Sequence, residues 1–380
     1  MLRTFWILFI MTGFGLALSG CAELAYYRQA AAGQWELLQA RRPVAEVLAD
    51  PTTAPNLRQR LEIAQALRAF ASADLALPDN DSYRNYADVQ RPYVVRNVFA
   101  APELALEPRR WCFPIAGCLS YRGYFDAEAA QRLADQLRAD GDDVYVADIA
   151  AYSTLGWFAD PLLNTFIHWS TARLAELMFH ELAHQRLYIA DDTAFNEAFA
   201  TAVGQLGVER WLAQRGTARD QEEYAADHRR RQEFSQRVTA SREALAAVYA
   251  SSQSDAEKRV GKQRILAELR TRYRELKQGW GGYAGYDRWF EQDLNNAKLA
   301  GHSTYQRWVP AFVALYQREG RDFAAFYQAA EVLGRLPPPE REAQLRELLT
   351  APGPSMLAHI SSLAGACHAR NAHCPPVQER

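Results

Sequence analysis

Cysteine is scarce, with 5 in 380 residues, so the chain is not a small fold stapled by many disulfides. Charge of one sign is lacking as well: 43 Lys+Arg against 45 Asp+Glu leave a net charge of −2. A broad nucleic-acid footprint needs concentrated basic charge and is therefore not expected. Beyond the first twenty residues there is no long hydrophobic run, which excludes a polytopic membrane protein. There is no internal repeat, no collagen-like glycine period and no sustained heptad pattern. What remains is an ordinary globular balance, 49% hydrophobic and 23% charged, long enough for two or three compact units or one large one.

The N-terminus stands apart. Arg3 precedes an apolar stretch from Phe5 to Leu18, too short to span a bilayer comfortably, and Leu18-Ser19-Gly20-Cys21 follows it. That tetrapeptide resembles a bacterial lipobox. The resemblance implies that Cys21 becomes the lipidated first residue, and Ala22 after it implies sorting to the outer membrane, facing the periplasm. The alternative is an uncleaved N-terminal anchor. Four further cysteines form two close pairs, Cys112 with Cys118 and Cys367 with Cys374. In an oxidising compartment both pairs are expected to be disulfides. A zinc knuckle of Cys367, His368, His373 and Cys374 is the other reading of the second pair.

The periodicities predict an α+β fold that is predominantly helical. Residues 22–76 read as helix broken at Pro43 and near Asp50-Pro51. Tyr93–Phe99 and Val144–Ile149 read as strands flanking a helix over Asp126–Ala139, capped by Asp126. From Asn164 onward helix dominates. Asp220–Gln278, interrupted at 251–255, reads as a long helical hairpin, followed by a Gly- and aromatic-rich loop at 279–286. Gly301–Ala330 reads as helix, and Pro337-Pro338-Pro339 punctuates the tail. The expected division is a signal peptide at 1–20, a helical segment at 21–91, a catalytic core at 92–215 and a helical region at 216–380.

One motif carries chemistry. His180-Glu181-Leu182-Ala183-His184 places two histidines four residues apart, on one face of a helix, where both imidazoles reach one metal. Glu181, one step round, can then face a water on that metal. Leu174, Leu177, Met178, Leu182 and Leu187 supply the apolar stripe of that helix, and Ser170 or Thr171 its cap. Two core histidines are the bland alternative. A catalytic zinc takes a third protein ligand, and Glu197 is the best candidate. The first helix is expected to end near Tyr188, with a turn at 189–192, Thr193 as the next cap, and Glu197 one turn inside an antiparallel helix. On position alone Glu197 reads equally well as a surface residue.

His-Glu-Leu-Ala-His-Gln at 180–185 followed by Asn-Glu-Ala-Phe-Ala at 196–200 resembles the gluzincin zinc peptidases, in particular their aminopeptidase branch. With the lipobox and Ala151-Tyr-Ser-Thr-Leu-Gly-Trp-Phe158, the chain resembles a proteobacterial lipoprotein family described as aminopeptidases. The resemblance implies one Zn²⁺ held by His180, His184 and Glu197, with Glu181 as general base. It further implies a tyrosine or histidine from a later segment as oxyanion donor. Tyr283, Tyr286, His302 and Tyr305 are the candidates, and Tyr305 is preferred. Ser153, Thr154, Leu155 and Gly156 are expected to hold substrate by strand addition. There are departures: only twelve residues separate His184 from Glu197, no G-x-M-E-N strand is present, and Thr201 stands where thermolysin-like relatives carry an Asp. The implied partners are a peptide or protein substrate and the membrane. An endopeptidase acting on envelope proteins and a non-catalytic lipoprotein scaffold are the competing readings.

Overall fold

A computed structural model describes residues 23–113, 117–151, 154, 158–303 and 307–350. Of the described residues 63% are helical, with small sheets between, so the fold is α+β and mainly helical as expected. The chain opens with α1 (23–39), then β1 (Arg42–Pro43), α2 (Val44–Ala49) and α3 (Pro55–Ala73). β1 pairs antiparallel with β2 (Asn85–Ala87).

The strand-rich region follows. β3 (Val95–Pro102) is the central strand of a three-stranded antiparallel sheet, between β6 (Arg122–Tyr124) and β7 (Asp142–Ile149). β4 (Trp111–Phe113) and β5 (Gly117–Leu119) form a separate hairpin, in which Cys112 lies opposite Cys118 and is disulfide-bonded to it. Side chains alternate along β3. Val98 and Ala100 pack on Ala130, Ala134 and Leu137 of α4 (Ala127–Ala139), whereas Phe99 and Ala101 face Ala297 on the other side. Both faces of β3 are covered, which explains its nearly continuous apolar sequence. Asp126 caps α4 by accepting from the N–H groups of Glu128 and Ala129. β8 (Leu162–Leu163) pairs in parallel with β2 and leads into α5 (Thr171–Arg186), which Ser170 caps.

The main core lies where α3, α5, α6 (Thr193–Arg215), α11 (Val309–Arg318) and α12 (Phe323–Gly334) meet. Phe70 packs edge-on against Trp211, and Phe199 against Phe312 and Tyr327. α7 (Ala218–Ala250) and α8 (Asp255–Gly279) form the expected hairpin, each opened by a capping box, at Thr217/Asp220 and Ser254/Glu257. Its turn end is fastened to the sheet. Lys262 donates to the Glu103 carbonyl and pairs with Asp143, and the buried Asn296 amide donates to the carbonyls of Pro102, Glu103 and Ala105. α9 (Asp287–Glu291), α10 (Asn296–Ser303) and α13 (Pro338–Thr350) complete the order.

Three expectations are corrected. The helix read over 301–330 is three helices: α10, α11 and α12. Gly320 and Arg321, with φ of 69° and 61°, make the left-handed break between α11 and α12. The prolines at 337–339 mark the start of α13 rather than a break, because proline is tolerated in a first helical turn. The cap of α6 is Asp192, not Thr193; its carboxylate accepts from the Phe195 N–H. Cys21, Cys367 and Cys374 lie outside the described residues. Among the described residues, no helix is long and apolar enough to cross a membrane.

Candidate metal centre

α5 and α6 run antiparallel with their backbones close together. A Cβ at Gly204 would lie 2.9 Å from the Glu176 carbonyl oxygen and 3.5 Å from the His180 Cβ, so glycine is what permits the approach. Leu174, Ala175, Met178, Phe179, Leu182 and Ala183 are buried on α5, whereas His180 and Glu181 stay partly exposed and His184 is buried. The α5–α6 turn is set by Asn196, which is fully buried. Its amide donates to the Ile189 carbonyl at 2.7 Å and accepts from the Ile189 N–H at 2.8 Å. That clasp starts α6 in the phase that points the next residue, Glu197, back at α5.

The two histidines and Glu197 converge, their ligand atoms all within 4.8 Å of one another. His180 Nε2 is 3.1 Å from His184 Nε2 and 3.4 Å from Glu197 Oε2, and His184 Nε2 is 3.6 Å from Glu197 Oε1. A tetrahedral zinc with ligands at about 2.0–2.2 Å sets neighbouring donors roughly 3.3 Å apart, so the donor set has the spacing such an ion needs. Two imidazole lone pairs cannot face each other at this distance without a shared proton or a cation between them.

Charge is arranged to match. Burial pushes the His184 imidazole down to about 4, helped by the positive charge of His180 and only partly opposed by Glu197. His184 is therefore neutral at pH 7, with a lone pair to give. Burial acts to lower His180 too. The hydrogen bond to Glu197 and the charges of Glu181, Glu197 and Glu176 outweigh it and raise its pKa. Burial acts to raise Glu197, yet the hydrogen bond from His180 and the two histidine charges hold its carboxyl below the usual range. One usual feature is missing: the buried Nδ1 of His184 has no hydrogen-bond partner among the described residues, where a ligating histidine ordinarily donates to an acceptor.

Around this centre the sequence missed several supports. Arg68, buried on α3, donates to the carbonyls of Pro78, Asn80 and Ser82 and so clamps the 78–84 loop. Gln185 ties that loop to α5 through Asn80 and Ser82. Tyr83 within it is buried with a φ of 65°, and its phenol pKa is pushed well up by burial and then by the Glu181 charge. Tyr188, at the other side, meets the His184 ring edge-on at 6.4 Å. Asn196 was legible only as part of the Asn-Glu pair, and Arg68 carried no signal beyond an arginine on an apolar helix.

The expected oxyanion and substrate residues fare differently. Tyr286 stacks on Phe234 at 4.2 Å, and Tyr283 lies against Trp280 beneath the Arg230 guanidinium; both belong to the aromatic cluster at the hairpin base. Tyr305 and the His302 side chain lie outside the described residues, as do Ser153, Leu155 and Gly156. Thr154 is described. Its N–H donates to both carboxylate oxygens of the buried Asp160, at 3.2 and 3.1 Å, and its hydroxyl to Asp160 Oδ1, so the donor a substrate strand would need is spent.

A mainly helical α+β fold thus carries a two-histidine, one-glutamate donor cluster on adjacent antiparallel helices, with a second glutamate beside it. This defines a candidate metal centre. The chain belongs to the family described as "Putative aminopeptidase", whose model matches residues 25–345, and the family's name points to peptide-bond hydrolysis. No curated protein and no solved structure matches the chain.

Proposed function

We propose that the protein is a zinc-dependent aminopeptidase, with His180, His184 and Glu197 holding one Zn²⁺ and Glu181 acting as general base. The observation that carries this reading is the convergence of three donors of zinc-preferred type at tetrahedral spacing. The family match supports the peptidase part. When bound, the metal supplies a Lewis acid that polarises the scissile carbonyl and acidifies water. The chain's own residues do the rest. Glu181 takes the proton of the attacking water and delivers it to the leaving amine, a role worth about 10²–10⁴-fold when the group is well positioned. Glu197 and neutral His184 keep the centre electron-rich, and the clamped 78–84 loop walls it on the Gln185 side. Tyr305 is the proposed oxyanion donor. Cys21 is proposed to anchor the protein by lipid to the outer membrane, facing the periplasm.

The test separates metal binding from proton transfer. Glu181→Gln keeps the shape of the side chain but cannot accept a proton at neutral pH, so it is expected to retain about one zinc per chain while hydrolysis falls roughly 10²-fold or more. Glu197→Gln is expected to lose zinc and activity together. Zinc lost from the first variant and fully kept in the second would overturn the roles. Digestion of a defined peptide reads the specificity: release of single N-terminal residues is expected, and internal cuts would replace the aminopeptidase reading by an endopeptidase one.

A further inference from the structure

The described chain begins on α1, and this helix has two unlike faces. Its inner face is fully used. Tyr26 packs on Tyr124 and under the Arg122 guanidinium, Gln29 accepts from the Phe125 N–H, and Leu37 is buried. At Gly33 an added Cβ would lie 2.1 Å from the Phe125 ring, so this face presses directly on the body. The outer face is apolar and open: Leu24 is 72%, Tyr27 43% and Trp35 62% exposed.

At about 100° per residue, Leu24, Tyr27, Arg28, Ala31, Trp35 and Leu38 fall within roughly 100° of arc opposite the inner face. From Leu24 to Trp35 the stripe runs about 16 Å. Arg28 is its only charge. The acids of α1 lie on its flanks, and each is paired with an arginine of the body: Glu23 with Arg122 and Glu36 with Arg91, both at 3.0 Å. Aromatic side chains with an amphipathic edge, a leucine and a lone cation, without an opposing carboxylate, are the composition of a helix lying in a membrane interface.

The position in the chain decides the occupant. Cys21, the cysteine of the lipobox-like tetrapeptide, stands three residues before Leu24 in the sequence. A lipid on Cys21 would tether the chain without fixing its orientation, so a second contact next to the anchor is physically useful. We infer that the outer face of α1 lies against the lipid surface, with Leu24, Tyr27 and Trp35 in the headgroup layer. This inference rests on the proposed lipid anchor at Cys21. It assigns α1 as the element that orients the protein on the membrane rather than leaving it on a loose tether.

The test uses the full-length protein reconstituted into vesicles of phosphatidylethanolamine and phosphatidylglycerol, with lipids brominated at a shallow acyl position. Trp35→Phe removes only an exposed ring, so the emission difference from wild type isolates Trp35. At least half of that component is expected to be quenched. Mass spectrometry of the N-terminal peptide is run on the same sample. Quenching with an unmodified Cys21 upholds the bilayer contact and discards the lipid anchor. An unquenched Trp35 beside a lipidated Cys21 overturns the inference and leaves the anchor standing. An unquenched Trp35 in a dimer that Trp35→Gln dissociates assigns the face to a second copy of the chain and equally overturns it.

Discussion

Replacing Asn196 by alanine tests whether the α5–α6 turn is what aims Glu197. The side chain is 1% exposed and makes two hydrogen bonds to one residue, to the carbonyl and the N–H of Ile189, at 2.7 and 2.8 Å. Truncation strands the Ile189 N–H, leaves its carbonyl with the Asp192 N–H at 3.3 Å alone, and opens a small void. An unpaired buried polar group costs about 1–3 kcal/mol, and the partial exposure of Ile189 puts its N–H at the lower end, so the loss is about 1–2 kcal/mol in total. Stability should be read by denaturant titration with a chelator present, so that metal binding does not mask the change. Zinc affinity should be read separately, by competition with a chromophoric chelator. A turn released from its clasp lets α6 rotate at its first residues, and loss of such supporting contacts weakens metal binding about 10–100-fold. Thr193→Ala is the control. It lies two residues from the Ile189–Asp192 turn's centre but caps nothing, and it should change stability by less than about 0.5 kcal/mol. An Asn196→Ala protein with unchanged midpoint and unchanged zinc affinity would refute the account of the turn.

Two further outcomes are expected. Burial pushes the Glu209 carboxyl up to about 7 from 4.5, opposed only by Arg321. A folded pKa above the unfolded one means that its favourable contribution is complete below about 4.5 and is lost as pH rises through about 7. Glu209→Gln should therefore match wild type at pH 4 and exceed it by up to about 3 kcal/mol at pH 8, as measured by denaturation at both values; equal gains at the two pH values would refute the titration. Cys112 and Cys118 should resist alkylation in denatured, unreduced protein. With a sequence separation of 6, their replacement by serine should cost about 2 kcal/mol of unfolding free energy at most. Stoichiometric labelling of either thiol would count against the bond.

Much of the site was legible because its information is local. The spacing of His180 and His184 needs only the helical repeat to put both imidazoles on one side, and the stripe Leu174, Met178, Leu182 makes that helix without reference to the rest of the chain. The same holds for α4 with its Asp126 cap and for the α7–α8 hairpin, whose capping boxes are written within four residues of sequence. On position alone Glu197 reads equally as surface residue or ligand; α6 lying antiparallel on α5 brings its carboxylate to the two histidines. That placement depends on the missing side chain at Gly204 and on the Asn196 clasp, contacts between residues that no periodicity links. The aromatic loop at 279–286 is ambiguous in sequence for a related reason: glycine and tyrosine mark both mobile catalytic loops and packed corners. The partner on which Tyr286 stacks, Phe234, lies some fifty positions earlier in the chain. Thr154 likewise reads as extended until Asp160 closes on its N–H. Composition and spacing therefore determined which side chains share a helix face. Tertiary structure alone decided which faces meet, because the burial and hydrogen bonding that join them act between residues far apart in sequence.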